Sequence, residues 1–283
     1  MDRFAFEALP SSGFGRLATK ATDVTQHITI TEPVTPVSRR DVEDERGTLV
    51  SQGKPGRAAP PDYLLETYWW AYARPNAVRV FEREWLINAI LWGNYRRLSH
   101  ATIEALGPSY SGRSLQIACA YGDFTPQFVR RVEGDGGALD VIDALPVQIA
   151  NVRRKMRGHV CATLMDSAEL KFADASFDRA VLYLLLHEQP EEWRRRTLAE
   201  AARVLKPGGR LVVVDYGRPD WRHPLRYLFP PVLALLEPFA LDMWRRPIES
   251  FFVGLPLRLA EPRRTFFGGL YQLVVWEKTV STF

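Results

Sequence analysis

The chain has 283 residues, of which 46% are hydrophobic, so it can bury a large core in one or two domains. Its formal charge of +4 is scattered in short basic pairs rather than in a stripe, which argues against a nucleic-acid partner. The two cysteines, Cys119 and Cys161, fall in apolar predicted strands. This placement predicts buried thiols in a reducing compartment, without a disulfide or zinc framework.

Residues 1–60 carry dispersed Pro, Gly, Ser, Thr and mixed charge without a sustained period. This composition predicts a flexible tail, followed by one domain over 61–283. The first twenty residues include Asp2 and Glu7 and lack a continuous apolar run, so we expect no secretory signal and a cytoplasmic location. The lipophilic segment 227–244 is broken by prolines and acidic residues, and we do not expect it to span a membrane.

Aromatic residues dominate the start of the domain, where 61–110 is predicted to form a cap of helices. A short helix is expected to begin at Asp62 and end before Pro75, and a second is expected over 76–97. The apolar positions of the second helix cover more than one face. They therefore fit either ordinary packing or the wall of a hydrophobic substrate pocket.

Beyond Ser111, predicted strands and helices alternate, as is typical of an α/β fold with a mostly parallel sheet. An insert over 217–262 precedes a closing hairpin around Gly268 and Gly269. Strands are expected over 115–120, 138–142, 160–164, 177–186, 210–215, 265–267 and 270–276, and helices over 146–156 and from 190 to the Lys206-Pro207-Gly208-Gly209 turn.

The segment LQIACAYGD, from Leu115 to Asp123, reads as a strand, a tight turn and the start of a helix capped by Thr125. At such a turn the backbone N–H groups face a polar or anionic ligand, and small residues let that ligand approach the main chain. Asp123 is placed either to meet the ligand or to cap the helix. The small residues of this loop are Ala118, Ala120 and Gly122, with Tyr121 between the last two.

Acidic residues follow the next two strands. Asp143 ends the second strand, where a carboxylate can accept hydrogen bonds from both ribose hydroxyls of a nucleotide cofactor. Asp166 and Ser167 follow the third strand, and Asp166 is placed to contact an adenine amino group. The chain lacks the GxGxxG spacing of a dinucleotide site, so the pattern favours S-adenosylmethionine (SAM).

The blocks IACAYGD, VIDALP, MDSAELKFADASFD and LKPGGRLVVVD resemble, in order, the core of class I SAM-dependent methyltransferases over 111–216. The resemblance implies a Rossmann-like, mostly parallel seven-stranded sheet with helices on both faces, an N-terminal helical cap and a helical insert before the last two strands. In that family, glycines stand where this chain has Ala118 and Ala120, and an acidic residue stands where it has Gln116. An alanine does not readily adopt a positive φ, so the methionine part of SAM is expected to lie differently. The implied SAM contacts are Ala118, Ala120, Tyr121, Gly122, Asp123, Asp143, Asp166 and Ser167.

A closer resemblance covers nearly everything from Pro61 onward. The altered loop and the segments LLLHEQP, VDYGRPDWRHPLRYL and LLEPFALDMW are similar to the methyltransferase-like enzymes of rhodoquinone biosynthesis. That resemblance implies the replacement of a ring methoxy group of ubiquinone by an amino group. It also implies SAM as the amino donor and a divalent metal, with manganese favoured.

Polar residues end two neighbouring predicted strands, His187 and Glu188 after one and Asp215 and Tyr216 after the next. His187, Glu188 and Asp215 are candidate ligands of the metal, because manganese accepts mixed nitrogen and oxygen ligands. His187, Asp215 and Tyr216 are candidate catalytic groups, with His187 or Asp215 moving a proton. The alternative is structural: the His-Glu pair caps a helix or forms an ion pair, and Tyr216 is part of a wall.

A ubiquinone-like substrate needs an apolar path, and the proline-broken insert is rich in large apolar residues. Arginines such as Arg222 and Arg226 flank it, so we expect either peripheral contact with the cytoplasmic face of the inner membrane or a plain lid. Two rival functions are a quinone or lipophile methyltransferase and a non-catalytic SAM- or quinone-binding protein. The oligomeric state stays open.

Overall fold

A computed structural model describes residues 60–280, and the predicted tail over 1–60 lies outside them apart from Pro60. The strands are β1 (Arg113–Ile117), β2 (Ala138–Asp143), β3 (Cys161–Leu164), β4 (Phe177–Tyr183), β5 (Leu205–Tyr216), β6 (Leu257–Phe266) and β7 (Tyr271–Lys278). They form one sheet in the order β3-β2-β1-β4-β5-β7-β6. β1 to β5 are parallel, and β7 is antiparallel to both β5 and β6. This mostly parallel seven-stranded sheet confirms the predicted fold class.

Helices connect the strands and cover the start and the insert of the domain. They are α1 (Asp62–Thr67), α2 (Pro75–Phe81), α3 (Glu84–Ile90), α4 (Tyr95–Ala105), α5 (Phe124–Gly134), α6 (Pro146–Met156), α7 (Glu191–Val204), α8 (Leu225–Leu228), α9 (Pro230–Leu236) and α10 (Asp242–Arg245). A π-helical turn spans Trp69–Ala73, and 3-10 turns span Leu186–Glu188 and Ile248–Phe251. Helices α4 and α7 pack on β5, and α6 packs on β2 and β3.

The two central strands β4 and β5 are buried on both faces. Ala180, Val181 and Leu182 of β4 are fully buried, as are residues 212–214 of β5, which explains their continuous apolar sequence. The strand order reverses between β1 and β4. In an open α/β sheet, ligands bind outside the carboxyl ends of the strands at such a reversal. The fold therefore places the functional site at this edge.

The predicted single helix over 76–97 is wrong, because three helices, α2, α3 and α4, share this segment. Arg83 is extended and separates the first two. Trp92 and Gly93 adopt positive φ values of 53° and 78°, which a right-handed helix cannot accommodate. The chain therefore reverses locally before α4 begins at Tyr95.

Two predicted strands end earlier than expected, because a residue with a positive φ follows each of them. β1 ends at Ile117 rather than at residue 120, because Ala118 has a φ of 71°. β4 ends at Tyr183 rather than at residue 186, because Leu184 has a φ of 57°. Both left-handed residues turn the chain at the carboxyl edge of the sheet, so the following side chains face the ligand crevice.

Other boundaries also need correction. β5 begins at Leu205 rather than at residue 210, and a register irregularity opposite β4 absorbs the Pro-Gly-Gly turn. β6 begins at Leu257, so the insert ends at residue 256 rather than at 262. Cys161 is exposed rather than buried, because it lies on β3 at the edge of the sheet.

Candidate functional site

A cavity lies along the carboxyl ends of the parallel strands, and the N-terminal cap and the insert complete its wall. The predicted site residues on this wall are Ala118, Ala120, Tyr121, Asp143, Asp166, Ser167, His187, Glu188 and Tyr216. Further polar groups on it, which the sequence did not indicate, are Tyr63, Tyr72, Gln148 and Glu237. The structure therefore brings the predicted cofactor residues and the predicted chemical residues to one cavity.

The altered loop after β1 keeps a glycine-like backbone at its first alanine. Ala118 has a φ of 71°, whereas the φ of Ala120 is not positive. A left-handed alanine costs roughly 1–2 kcal/mol, so the fold tolerates strain at Ala118 alone. Alanine was expected to avoid a positive φ, but Ala118 adopts one and Ala120 does not. The side chain of Gln116 donates a hydrogen bond to the Ala118 carbonyl at 3.0 Å and supports the strained turn.

Gly122 is required by a side chain packed against it. Its φ is 75°, and a Cβ there would lie 2.6 Å from the hydroxyl of Tyr95. That hydroxyl donates to the Tyr121 carbonyl at 3.1 Å and accepts the Phe124 N–H at 2.8 Å. Tyr95 therefore clamps the turn between the loop and α5, so the loop backbone is held in one conformation.

Asp143 connects the second strand to the loop. Its Oδ2 accepts the Cys119 N–H and its Oδ1 accepts the Leu145 N–H, both at 2.9 Å. Burial raises the pKa of Asp143 to about 6, and the backbone donors oppose that rise. The side chain of Cys119 and the backbone of Ala144 also hydrogen-bond this carboxylate, which lies on the cavity wall where the sequence predicts contact with a ribose.

Asp166 and Ser167 occupy the turn after β3. Asp166 Oδ1 accepts the Ala168 N–H at 2.8 Å, which leaves the other oxygen for a ligand. Ser167 Oγ lies 2.8 Å from Thr197 Oγ1 and accepts a hydrogen bond from Gln189 at 3.0 Å. The hydroxyl of Ser167 is thus tied into the protein, although the residue lines the cavity.

Three predicted site residues lie off the cavity wall: Gly122, Asp123 and Asp215. Asp123 occupies the N-cap position of α5 without a side-chain hydrogen bond to the helix, and α5 begins at Phe124. The predicted cap at Thr125 is therefore wrong, and Thr125 is buried inside the helix instead. His223, which follows the predicted chemical residues, packs edge-on against Phe267 at 4.8 Å.

Asp215 is fully buried and positions the turn that carries His187. Its Oδ2 accepts the Leu186 N–H at 2.7 Å, and its Oδ1 lies 2.9 Å from His187 Nδ1. The Tyr216 N–H also donates to Oδ1 at 2.7 Å. With its oxygens occupied and enclosed, Asp215 orients the imidazole so that Nε2 is free to face the cavity. Sequence analysis placed Asp215 among the groups that meet a ligand, and the structure assigns it a supporting position.

Two carboxylates approach the other imidazole nitrogen. His187 Nε2 lies 3.8 Å from Glu188 Oε1 and 3.7 Å from Glu237 Oε2. Burial alone would lower the pKa of His187, but Asp215, Glu237 and Glu188 together raise it to about 9. Burial raises the pKa of Glu188 to about 8 and also raises that of Glu237. This end of the cavity therefore has an excess of acidic groups over its single imidazole.

One of the three predicted metal ligands is enclosed by the protein. The oxygens of Asp215 already accept backbone and imidazole hydrogens, so this side chain has no room for an ion. Within residues 60–280, no group of three or more His, Cys, Asp and Glu side chains is arranged to hold a metal. Asp215 therefore orients His187 and does not face the cavity, while the ligand roles of His187 and Glu188 stay a prediction.

Aromatic side chains join the loop to the N-terminal cap. The ring of Tyr121 stacks on Tyr72 at 5.6 Å and on Phe81 at 5.8 Å, and its hydroxyl donates to the Ala71 carbonyl. The Tyr72 hydroxyl donates to Glu188, across the cavity. Tyr216 lies edge-on to His187 with 4.6 Å between ring centroids, so it forms a wall beside the imidazole. The cap therefore contributes directly to the site.

Arg194 supports the His187 turn from below and had no signal in the sequence. This fully buried guanidinium donates to the carbonyls of Leu186 and Gln189, each at 2.9 Å, and to that of Phe239 at 3.3 Å. It therefore connects the turn after β4 to the insert that carries Glu237. An arginine on a helix is usually solvated, so only the packing reveals this position.

Comparison with known proteins agrees with this geometry. Residues 115–209 match the model of a methyltransferase domain family. The demethylmenaquinone methyltransferase of Tropheryma whipplei is 31% identical over 192 residues, which cover 64% of this chain and 73% of that protein. The chain belongs to the class I SAM-dependent methyltransferase family. In this family member, Ala118, Ala120, Tyr121 and Asp143 line the part of the cavity that the sequence predicts for a cofactor, and we call this part the cofactor half.

Other relatives of the chain are matched over shorter regions. The ubiquinone/menaquinone biosynthesis C-methyltransferases UbiE of Proteus mirabilis and Azotobacter vinelandii are 32% and 34% identical over 140 and 141 residues. The matched regions cover 47% and 48% of this chain, and the chain spans about half the length of these relatives, 55% and 54%. An O-methyltransferase family protein from Burkholderia thailandensis has the same fold, with a TM-score of 0.54 and 16% identity, over 79% of this chain and 65% of that one.

Proposed function

We propose that this methyltransferase-family protein uses SAM to replace a ring methoxy group of a ubiquinone-like quinone by an amino group, yielding a rhodoquinone-like product. The observation that carries the proposal is the acidic end of the cavity around His187, on the same wall as the cofactor half. An amino group is favoured there, because the oxygens of Glu188 and Glu237 beside the imidazole can accept its hydrogen bonds.

The residues of the cofactor half fit SAM. The carboxylate of Asp143 lies on the cavity wall at the end of β2, where it can accept a ribose hydroxyl, and Asp166 keeps one oxygen free for an adenine amino group. Ala118, Ala120 and Tyr121 form the wall beside the methionine part. When bound, SAM supplies the amino group.

His187 is the proton carrier of the proposal. With its pKa near 9, the imidazole carries a proton at neutral pH and can give it to the departing methoxide, which leaves as methanol. The entering nitrogen would give a proton to His187 Nε2 as it bonds to the ring carbon. Release of the aminoquinone would then require the bond between this nitrogen and the α-carbon of SAM to break, with a β-proton of SAM passing to the nitrogen and an unsaturated remainder of SAM leaving. Asp215 keeps the imidazole oriented throughout, and Tyr216 forms the wall beside it.

Manganese, which the resemblance to the rhodoquinone enzymes implies, has no step in this proposal. Of the predicted ligands, Asp215 is saturated by hydrogen bonds, whereas His187 and Glu188 face the cavity. The proposal assigns the chemistry to the proton carried by His187. Incubation with and without manganese distinguishes the metal-free mechanism from a metal-dependent one, because only the metal-dependent mechanism requires the ion.

The substrate is proposed to be a quinone with an apolar tail. The cavity wall near the acidic end includes Ile87, Ile90 and Leu91 from the N-terminal cap, which suit such a ligand. A quinone of this kind resides in a bilayer, so the proposal includes peripheral contact with the cytoplasmic face of the inner membrane. No nucleic acid is involved.

Methyl transfer to a quinone is the second candidate. It is favoured by the relatives, whose names describe C-methyltransferases of ubiquinone and menaquinone biosynthesis. It predicts S-adenosylhomocysteine as a product and no metal requirement. A third reading, a SAM- or quinone-binding protein without catalysis, is favoured by the two alanines that replace loop glycines.

The test is mass spectrometry of the quinone after incubation of the full chain with short-tailed ubiquinone and SAM, with and without manganese. Exchange of OCH₃ for NH₂ supports the proposal, and the His187→Gln variant should abolish it while still binding SAM. A gain of one CH₂ by a short-tailed quinone that keeps an unsubstituted ring carbon, incubated in parallel, supports methyl transfer instead. SAM binding with an unchanged quinone in both arms supports the binding protein. Exchange that occurs only with manganese contradicts the metal-free mechanism.

A further inference from the structure

The cavity mouth is bordered by apolar side chains that face outward. Helix α3 has no buried residue, and its Trp85 is 65% exposed. Helix α9 buries only Leu233, and its Leu235 is 81% exposed. We define the apolar rim as six exposed side chains: Trp85, Trp92, Trp221, Tyr227, Leu228 and Leu235. Large exposed apolar groups of this kind mark an interaction surface.

The rim is one surface built from two distant segments. Trp92, just after α3, packs edge-on against Phe229 at 6.1 Å, which joins it to the link between α8 and α9. The hydroxyl of Tyr227 donates to the Trp221 carbonyl at 2.9 Å. The same segments reach the cavity, since Ile90 of α3 and Glu237 after α9 both line it. Both segments that carry the rim therefore also contribute to the cavity wall.

The charged side chains next to the rim indicate which kind of partner it binds. Residues 221–236 contain no Asp or Glu but include Arg222 and Arg226, while the nearest acidic residues along the chain are Glu84, Asp220 and Glu237. Arg222 is exposed and lies over the ring of Trp221, 4.7 Å from its centroid. Tryptophan and tyrosine favour the boundary between lipid tails and water, and arginines favour anionic headgroups. No helix within residues 60–280 is long and apolar enough to traverse a bilayer.

We propose that the apolar rim docks on the surface of an anionic phospholipid bilayer, with Leu235 and the tryptophans in the headgroup boundary and Arg222 on the phosphates. The docking proposal rests on the proposed function, which identifies the quinone that enters at the rim. Docking in this orientation places the cavity mouth against the membrane, so a lipophilic substrate reaches the site without crossing water.

The test is sedimentation of the full chain with vesicles of phosphatidylcholine, with and without phosphatidylglycerol, in the absence of quinone and SAM. Binding should require the anionic lipid. Leu235→Glu should weaken it by at least about tenfold, because an apolar group is lost and a repelled charge is added. Arg222→Gln should weaken it by about fivefold, since one such charge is worth about 1 kcal/mol.

Matched controls lie at the other edge of the sheet. Val280 is 64% exposed and follows β7, whose end pairs near the amino edge of the parallel strands. Arg130 is exposed and borders a separate cleft with Arg210, at that same edge. Val280→Glu and Arg130→Gln should leave vesicle binding unchanged, and thermal unfolding verifies that all four variants fold.

Several outcomes overturn the docking. These are no binding, equal binding without the anionic lipid, or a loss for Val280→Glu as large as for Leu235→Glu. A dimer that Leu235→Glu dissociates, without vesicle binding, would assign the rim to a second copy of the chain. Turnover of a short-tailed quinone in water tests the proposed function separately, because that assay needs no membrane.

Discussion

Glu237 Oε2, on the insert, lies 3.7 Å from Nε2 of His187, on the turn after β4. The insert is therefore part of the candidate site, and not only a cover over it. Tyr72, from the N-terminal cap, reaches the same place by donating to Glu188. The site is thus completed by both segments that surround the methyltransferase core, and its chemistry depends on how they pack.

Glu188→Gln is expected to make stability less dependent on pH. Burial raises the pKa of Glu188 from 4.5 to about 8 in the folded state. A pKa raised by folding gives stability that is present below the unfolded pKa and is lost as pH rises through the folded pKa. The wild-type protein should therefore lose stability between pH 4.5 and about 8, and the variant should lose less.

The measurement is urea unfolding at several pH values from about 5 to 9. His187 retains a slope of the same sign between pH 6.5 and about 9 in the variant, because its pKa is also raised. Glu192→Gln, at an exposed position of α7, serves as the control. Equal pH slopes for Glu188→Gln and the wild type would contradict the buried state of this carboxyl.

Asp143→Asn is expected to weaken SAM binding by about 10–100-fold, because hydrogen bonds to a charged group are lost. The affinity of the wild type should also fall as the pH drops below about 6, where Asp143 takes up a proton. Calorimetric titration measures both effects. Asp140→Asn is the matched control, since Asp140 is buried on the same strand but pairs with Arg113 away from the cavity. Equal losses for the two variants would refute the cofactor role of Asp143.

Ala118→Gly and Ala120→Gly are expected to change stability in opposite directions. Glycine at 118 relieves a left-handed alanine with a φ of 71°, which outweighs the entropy that glycine adds to the unfolded chain, a net gain of about 0.5–1 kcal/mol. Glycine at 120 relieves no such strain and should cost about 0.5–1 kcal/mol. Chemical unfolding distinguishes the two, and a loss of stability for Ala118→Gly would contradict the strain.

The double variant tests chemistry as well. If the loop alanines determine which end of SAM reacts, methyl transfer should appear as amination falls, as measured by the mass of the quinone product. An unchanged product ratio would assign that selection to other groups, such as the carboxylates near His187.

Arg194→Lys is expected to destabilise the fold by about 2–3 kcal/mol, because three buried carbonyls lose guanidinium donors that one ammonium cannot replace in the same geometry. Arg195→Lys is the control next to it, since Arg195 is partly exposed, pairs with Glu191 and lies over the ring of Phe251 without donating to a buried carbonyl. Its effect should stay within about 0.5 kcal/mol. Similar unfolding curves for both variants would show that Arg194 does not hold the His187 turn.

Local patterns predicted much of the core. Helix α6 lies at Pro146–Met156 as its proline start and apolar spacing indicate, and the buried runs of β4 and β5 were recognisable from continuous apolar residues. The break of the helix predicted over 76–97 was not recognisable. It depends on left-handed residues at Trp92 and Gly93, and a tryptophan does not signal such a conformation.

The sequence by itself determined the class of fold and the placement of polar residues after successive strands, because hydrophobic period and turn residues act over a few neighbours. Only the tertiary structure decided which of those residues face the cavity. It enclosed Asp215 behind His187 and brought Glu237, Tyr72 and Arg194 to the same turn. Such contacts join segments far apart in the chain, and their side chains are selected by packing and by the cost of burying an unpaired charge, which no local pattern records.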